Sequence, residues 1–232
     1  MTTFPASFAE DELAQRIAAN LAQLRERITN VGRSLDSVRI VGVTKTFASD
    51  VVRAAVAAGL GTLGENYIDE LEAKRAETGD LQIRWHYLGA LQTNKIARIA
   101  RVADVVCGVS RLKELEKIAS LDRAPVLYVQ VDFTGAPQRN GAPAEEVEGL
   151  VGRARALDLD VRGLMTVAPA TLDGARRAFV ATSTLADELG LVERSMGMSD
   201  DLEVALECGT SEVRIGRGLF GRRDVRRPPR LT

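Results

Sequence analysis

Lys45 closes the apolar run Val38-Arg39-Ile40-Val41-Gly42-Val43-Thr44-Lys45. The run reads as a buried strand, so its last residue places a primary amine at the rim of a core. Partial burial and neighbouring cations lower the pKa of such an amine and make it a nucleophile toward an aldehyde. An ordinary strand-end lysine pointing to water fits the same run. Two Gly-rich segments near the C-terminus, Ser195-Met196-Gly197-Met198-Ser199-Asp200-Asp201 and Arg214-Ile215-Gly216-Arg217-Gly218-Leu219-Phe220-Gly221, add a second capability. Small residues ahead of a helix expose backbone N–H groups that surround an anion, although a plain loop has the same composition.

The elements that must position these groups alternate along the chain. Ser7 with Glu10 has capping-box spacing, and Leu13, Ile17, Leu21, Leu24 and Ile28 follow at helical intervals. Strands are expected at 38–45, 62–66, 84–89, 105–109, 125–132, 161–168, weakly before 195, and at 212–220. Helical patterns separate them at 50–58, through about 76, 93–102, 111–120, 144–157, 172–189 and 200–207. Repeated βα units imply a parallel sheet covered by helices. About eight units in 232 residues favour a closed (β/α)8 barrel, with an open doubly wound sheet as the alternative. In a barrel the C-terminal strand ends share one face, and Lys45 lies at such an end.

Composition removes several function classes. A net charge of −1 and 4% aromatic residues give no case for nucleic acid or an anionic membrane. No stretch approaches the length of a membrane span, and the acidic N-terminus lacks a signal-peptide pattern. Cys107 and Cys208 show no metal or disulfide spacing, and His86 is the only histidine. Reduced thiols in a cytoplasmic protein, with no bound metal, are expected. One domain is expected over 1–232, with 222–232 as a flexible basic tail.

In barrels a phosphate site is frequently built by the loops after strands seven and eight. An amine and a phosphate cradle on one rim describe a site for pyridoxal 5′-phosphate (PLP), an aldehyde carrying a phosphate. Arg214 belongs to a strand expected to be buried, where a guanidinium needs an acceptor, and a pyridine nitrogen is one. His86 reads as a packed pocket residue rather than a base. Asp200 and Asp201 read as helix-start carboxylates, and Met196 and Met198 as core fillers.

The motifs VGVTKT (41–46), GENY (64–67), WHYLGALQTNK (85–95), GLMTVAP (163–169), SMGMSDDLE (195–203) and VRIGRGLFG (213–221) resemble those of the pyridoxal phosphate homeostasis protein family. That family consists of single barrels similar to the N-terminal domain of alanine racemase. The resemblance covers most of the chain in order. It implies that Lys45 is the Schiff-base lysine, holding PLP as an aldimine. It further implies that Ser195 and the backbone around Met196, Gly216 and Arg217 hold the phosphate, and that Arg214 faces the pyridine nitrogen. Asn66, His86 and Met165 match positions lining the cofactor pocket. Three positions depart from the family pattern. Arg217 stands where Thr or Ser is usual, either as a charged donor or pointing away. Ala90 stands where His is common, and residues 133–139 replace a loop usually richer in Ser, Glu and Lys.

A guanidinium keeps its proton, so Arg214 would weaken PLP as an electron sink. Racemisation also needs an acid–base group on each substrate face, and the chain ends soon after its last strand, so no second domain is expected to supply one. The expected function is a monomeric PLP carrier that buffers the cofactor or delivers it to PLP-dependent apoenzymes. The alternatives are a weak amino-acid racemase or related PLP enzyme using His86 or Tyr67 as second base, and an interaction protein for which PLP is a signal.

Overall fold

The computed structural model describes residues 6–136 and 139–221. A leading helix, α1 (Ala6–Asn30), precedes β1 (Arg39–Val43), α2 (Ser49–Ala57), β2 (Thr62–Glu65), α3 (Ile68–Glu77), β3 (Arg84–Tyr87) and α4 (Ile96–Val102). The chain continues through β4 (Val105–Val109), α5 (Leu112–Ala119), β5 (Val126–Asp132), β6 (Ala142–Pro143), α6 (Ala144–Ala156), β7 (Val161–Thr166) and α7 (Leu172–Glu188). It ends with β8 (Glu193–Ser195), α8 (Leu202–Glu207), β9 (Glu212–Ile215) and α9 (Arg217–Phe220). The strands run β4-β3-β2-β1-β9-β8-β7-β5 with parallel pairing, and a β4–β5 pairing closes the ring. The fold is therefore a closed eight-stranded (β/α)8 barrel, with the two-residue β6 appended beside β5. The open-sheet alternative is excluded.

Successive strand residues face opposite sides, and this period divides the core into two layers. Leu63, Trp85, Val106, Leu127, Val129, Leu164, Val213 and Ile215 pack outward against the helices. Inside the barrel, Val105, Cys107, Tyr128 and Met165 form a smaller apolar cluster. The inner layer also carries buried polar groups at His86, Ser195, Glu212 and Arg214. None of the helices is long and apolar enough to cross a membrane among the described residues.

The leading helix belongs to the barrel wall. Ile17, Leu21, Leu24 and Ile28 are buried, as their spacing requires. Its polar residues reach the C-terminal elements. Asn20 Nδ2 donates to Leu219 O at 2.8 Å, and Arg27 binds Glu203 at 2.7 Å and donates to Ser199 O at 3.3 Å. Arg33 donates to Leu206 O and Thr210 O at 2.9 and 3.0 Å.

Several boundaries differ from the sequence reading. The first helix begins at Ala6, so Ser7 lies within it rather than capping it. The first strand ends at Val43, leaving Thr44 and Lys45 in the turn beyond it. The segment 212–220 is not one strand: β9 stops at Ile215, and α9 begins at Arg217. Gly216, at φ −106° and ψ −79°, leaves the extended region and makes the break. The strand β6 has no signal in its two residues. The basic tail 222–232 lies outside the described residues.

Candidate functional site

The strand order gathers the expected site residues on one arc of the barrel. Lys45 follows β1, Asn66 follows β2, and His86 lies on β3. Ser195 ends β8, Arg214 lies on β9, and Gly216 and Arg217 follow it. The order β3-β2-β1-β9-β8-β7 makes these strands neighbours, with Met165 on β7 completing the arc. Lys45 and Asn66 are half-buried, His86, Ser195 and Met196 fully buried, and Arg217 is exposed. Met198 was expected in the core but is 38% exposed, because Gly197 turns the chain outward at φ +100°. Only glycine fits there: a Cβ would also approach Ala205 Cβ to 2.5 Å.

Arg214 is 5% exposed, and the protein itself supplies its acceptors. Its Nη1 donates to Ser195 O at 2.5 Å and Ser195 Oγ at 2.9 Å, and its Nη2 to Thr166 O at 2.7 Å. Those bonds use three of the five guanidinium N–H groups and clamp β9 to β8 and β7. The acceptors that a buried arginine needs are thus present within the protein. Burial lowers its pKa, while the nearby Cys107, Glu212 and Asp201 act in the opposite direction.

The Ser195 hydroxyl, in turn, donates to Glu212 Oε1 at 2.7 Å. With Arg214 on one side and Glu212 on the other, it is committed to the barrel interior. The turn that follows it runs from Met196 to Ser199. On the facing side, a Cβ on Gly218 would come within 3.1 Å of Ser199 Oγ, so glycine there allows the two turns to approach. The Arg217 side chain donates to Asp200 Oδ2 at 2.8 Å across this mouth, and both groups are largely exposed. Asp201 precedes α8 and accepts from Met198 N at 2.5 Å.

Beneath the rim lies a buried network that the sequence reading missed. Glu212 Oε2 is 3.5 Å from His86 Nδ1 and 3.3 Å from Arg39 Nη1. Arg39 also pairs with Glu193 at 3.2 Å. Burial alone would raise the Glu212 pKa, but His86, Ser195 and Arg39 outweigh it and hold the carboxyl at about 2. His86 Nε2 is buried without a hydrogen-bond partner. His86, Cys107 and Glu212 bring ligand-type atoms within 4.8 Å of one another. Arg39 already engages that carboxylate, and burial pushes the Cys107 thiol well up, away from the thiolate that a metal would need. The only sequence signal was the pair of charged residues Arg39 and Glu212, each opening a strand.

Asp132 organises the turn that follows β5, accepting from Thr134 N at 2.9 Å and Gly135 N at 3.1 Å. Arg139 donates to Val167 O and Ala168 O at 2.8 and 3.1 Å, tying the loop to the end of β7. Ala90 is exposed.

Comparison with known proteins identifies relatives along most of the chain. Residues 14–224 match the family model for the alanine racemase N-terminal domain. The pyridoxal phosphate homeostasis protein of Pseudomonas aeruginosa is 39% identical over 225 residues, covering 93% of this chain and 98% of its own. The protein of the same name from Deinococcus radiodurans is 38% identical over 211 residues, covering 88% of this chain and 99% of its own. The structure of PipY from Synechococcus elongatus without PLP superposes with a TM-score of 0.81 at 33% identity, covering 88% of this chain and 100% of that one. The PLP-bound PipY structure gives a TM-score of 0.78 at 32% identity, with the same coverage. This chain therefore belongs to the alanine racemase N-terminal domain family and, within it, to the pyridoxal phosphate homeostasis proteins.

Proposed function

We propose that this protein binds PLP on the barrel rim, linked covalently through the Lys45 amine, and stores or delivers it rather than transforming amino acids. One observation carries the reading: β1, β9 and β8 are adjacent, and they bring a half-buried amine, a clamped guanidinium and two closely approaching glycine turns to one rim. The residues fit the cofactor. The turns at 196–199 and 216–218 offer backbone N–H groups to a phosphate, and Arg214 keeps two N–H groups for the ring. Asn66, His86 and Met165 supply the walls. The PLP-bound PipY structure and the shared family name support the assignment.

Bound PLP supplies an electrophilic aldehyde and an electron-withdrawing ring. What the protein does with it depends on the surrounding proton carriers. Arg214 retains its own protons and leaves the ring nitrogen without one. His86 is fully buried with Nδ1 against Glu212, and Tyr67 is 55% exposed, so neither is placed as a second base by burial or bonding. A monomeric carrier acting inside the cell on PLP-dependent apoenzymes follows from this reading.

The test is direct. Purified holoprotein incubated with L- and D-amino acids should racemise or decarboxylate none at an enzymatic rate, and mixed with a PLP-free apoenzyme it should restore that enzyme's activity. Turnover of about 1 s⁻¹ or faster on any amino acid would overturn the carrier reading. Arg217 provides a finer check. Its side chain is engaged with Asp200 in an exposed pair, a type worth about 0–1 kcal/mol. Arg217→Ala should change PLP affinity by no more than about twofold, as measured by equilibrium titration, since the backbone at this position is unaltered.

A further inference from the structure

Lys74 lies in the middle of α3, in a helix whose charges look solvated from the sequence, yet it is 3% exposed. Its ammonium has three donors, and all three are used. They go to Thr44 O at 2.7 Å, Glu65 Oε1 at 2.5 Å and Glu70 Oε2 at 3.2 Å. Glu65 is itself fully buried and also accepts from Thr44 Oγ1 at 2.7 Å. An amine whose three bonds all go to α3 and the β1–β2 rim is held in place by them and is not presented to the barrel mouth. It is not a rival to Lys45.

Its placement matters because of what its partners hold. Thr44 O belongs to the peptide group preceding Lys45, and Lys74 binds it. Thr46 N belongs to the peptide group following Lys45, and it donates to Glu70 Oε2 at 2.7 Å. Both peptide planes flanking the Lys45 Cα are thus fixed by α3, and the Lys74–Glu70 pair joins the two anchors. The turn needs such support. Thr46 has φ +68°, a left-handed conformation that a β-branched residue adopts only under constraint.

We infer that Lys74 is the positioning residue for Lys45: with Glu65 and Glu70 it locks the strained turn that aims the Lys45 amine into the barrel mouth. The inference rests on the reading of Lys45 as the PLP-bearing amine. Loosening the turn should weaken PLP by about tenfold through lost preorganisation, acting only through Lys45.

The experiment is a double-mutant cycle on the full chain. PLP affinity is measured for wild type, Lys74→Met, Lys45→Ala and the double variant. Lys74→Met should weaken binding by about tenfold when Lys45 is present and by less than about twofold when it is alanine. Equal weakening in both backgrounds, or none, overturns the inference. A second readout uses ligand-free protein: reductive methylation of the Lys45 amine by formaldehyde and cyanoborohydride, followed by peptide mass mapping. Methylation should become several-fold faster in Lys74→Met as the half-buried amine is released, and an unchanged rate counts against the inference. If Lys74→Met does not fold, Glu70→Leu frees Thr46 N while keeping the Glu65–Lys74 pair, and the same two measurements decide. A wild-type protein that takes up no PLP overturns the cofactor reading instead, and the methylation rates then decide the role of Lys74.

Discussion

Lys45→Ala protein mixed with PLP is expected to show no protein-linked visible absorbance band and no PLP-modified peptide after borohydride reduction, whereas wild type shows both. The expectation follows from position and from the other amines nearby. Lys45 is half-buried at the end of β1, adjacent to the β9 turn that would hold the phosphate. Lys74 is the closest competitor in sequence and structure, and its three hydrogen bonds leave it unreactive. Phosphate and ring contacts remain in the variant, each charge-assisted bond being worth about 1.5–3 kcal/mol. PLP should therefore still bind, on the order of a hundredfold more weakly. Absorbance, reduction and peptide mapping together check the result. A variant with an unchanged band, or a trapped adduct on another lysine, would remove Lys45 from the centre of the site.

The frame of this site was legible from the chain because βα alternation is a local signal. Each strand announces itself by β-branched residues, each helix by its spacing, and the barrel rule then puts every strand end on one face. That reasoning placed Lys45, Asn66 and Arg214 on a common rim. It failed where a side chain's role is set by residues far away in sequence. The Ser195 hydroxyl is engaged by Glu212, 17 residues on, and by Arg214, partners that its own segment does not announce. Lys74 of α3 is buried through its bond to a turn 30 residues earlier, a contact that no local pattern in the helix announces. The end of β9 was misread for a different reason. Leu219 and Phe220 are buried, and a short apolar run does not distinguish strand from helix. The aromatic contact between Phe220 and Phe47, at 5.7 Å, belongs to a helical turn.

Glu212 carries the second large effect. Its carboxylate is fully buried and faces His86, Ser195 and Arg39, so Glu212→Ala removes the anion while leaving its partners in place. Breaking a buried ion pair on one side costs about 3–5 kcal/mol, because the remaining charge is left uncompensated. For a domain of this size that corresponds to a fall in melting temperature of roughly 10 °C. Arg39 retains Glu193, which places the loss nearer the lower bound. The pH dependence has a defined sign. The folded carboxyl titrates at about 2, below its ordinary value of about 4.5, so its stabilising contribution is complete above about 4.5 and is lost as pH falls through about 2. Urea unfolding of wild type and Glu212→Gln should therefore differ most near neutrality and converge toward pH 2. A gap that stays constant from pH 7 to pH 2 would show that the ionised carboxylate is not the stabilising species. Replacing Arg39 and Glu212 together, as Arg39→Met with Glu212→Leu, should recover part of the lost stability, since a well-packed apolar pair carries no desolvation cost. Recovery of stability without recovery of PLP binding would assign the network to holding Ser195 and Arg214 in register, because Glu212 reaches the guanidinium through the Ser195 hydroxyl.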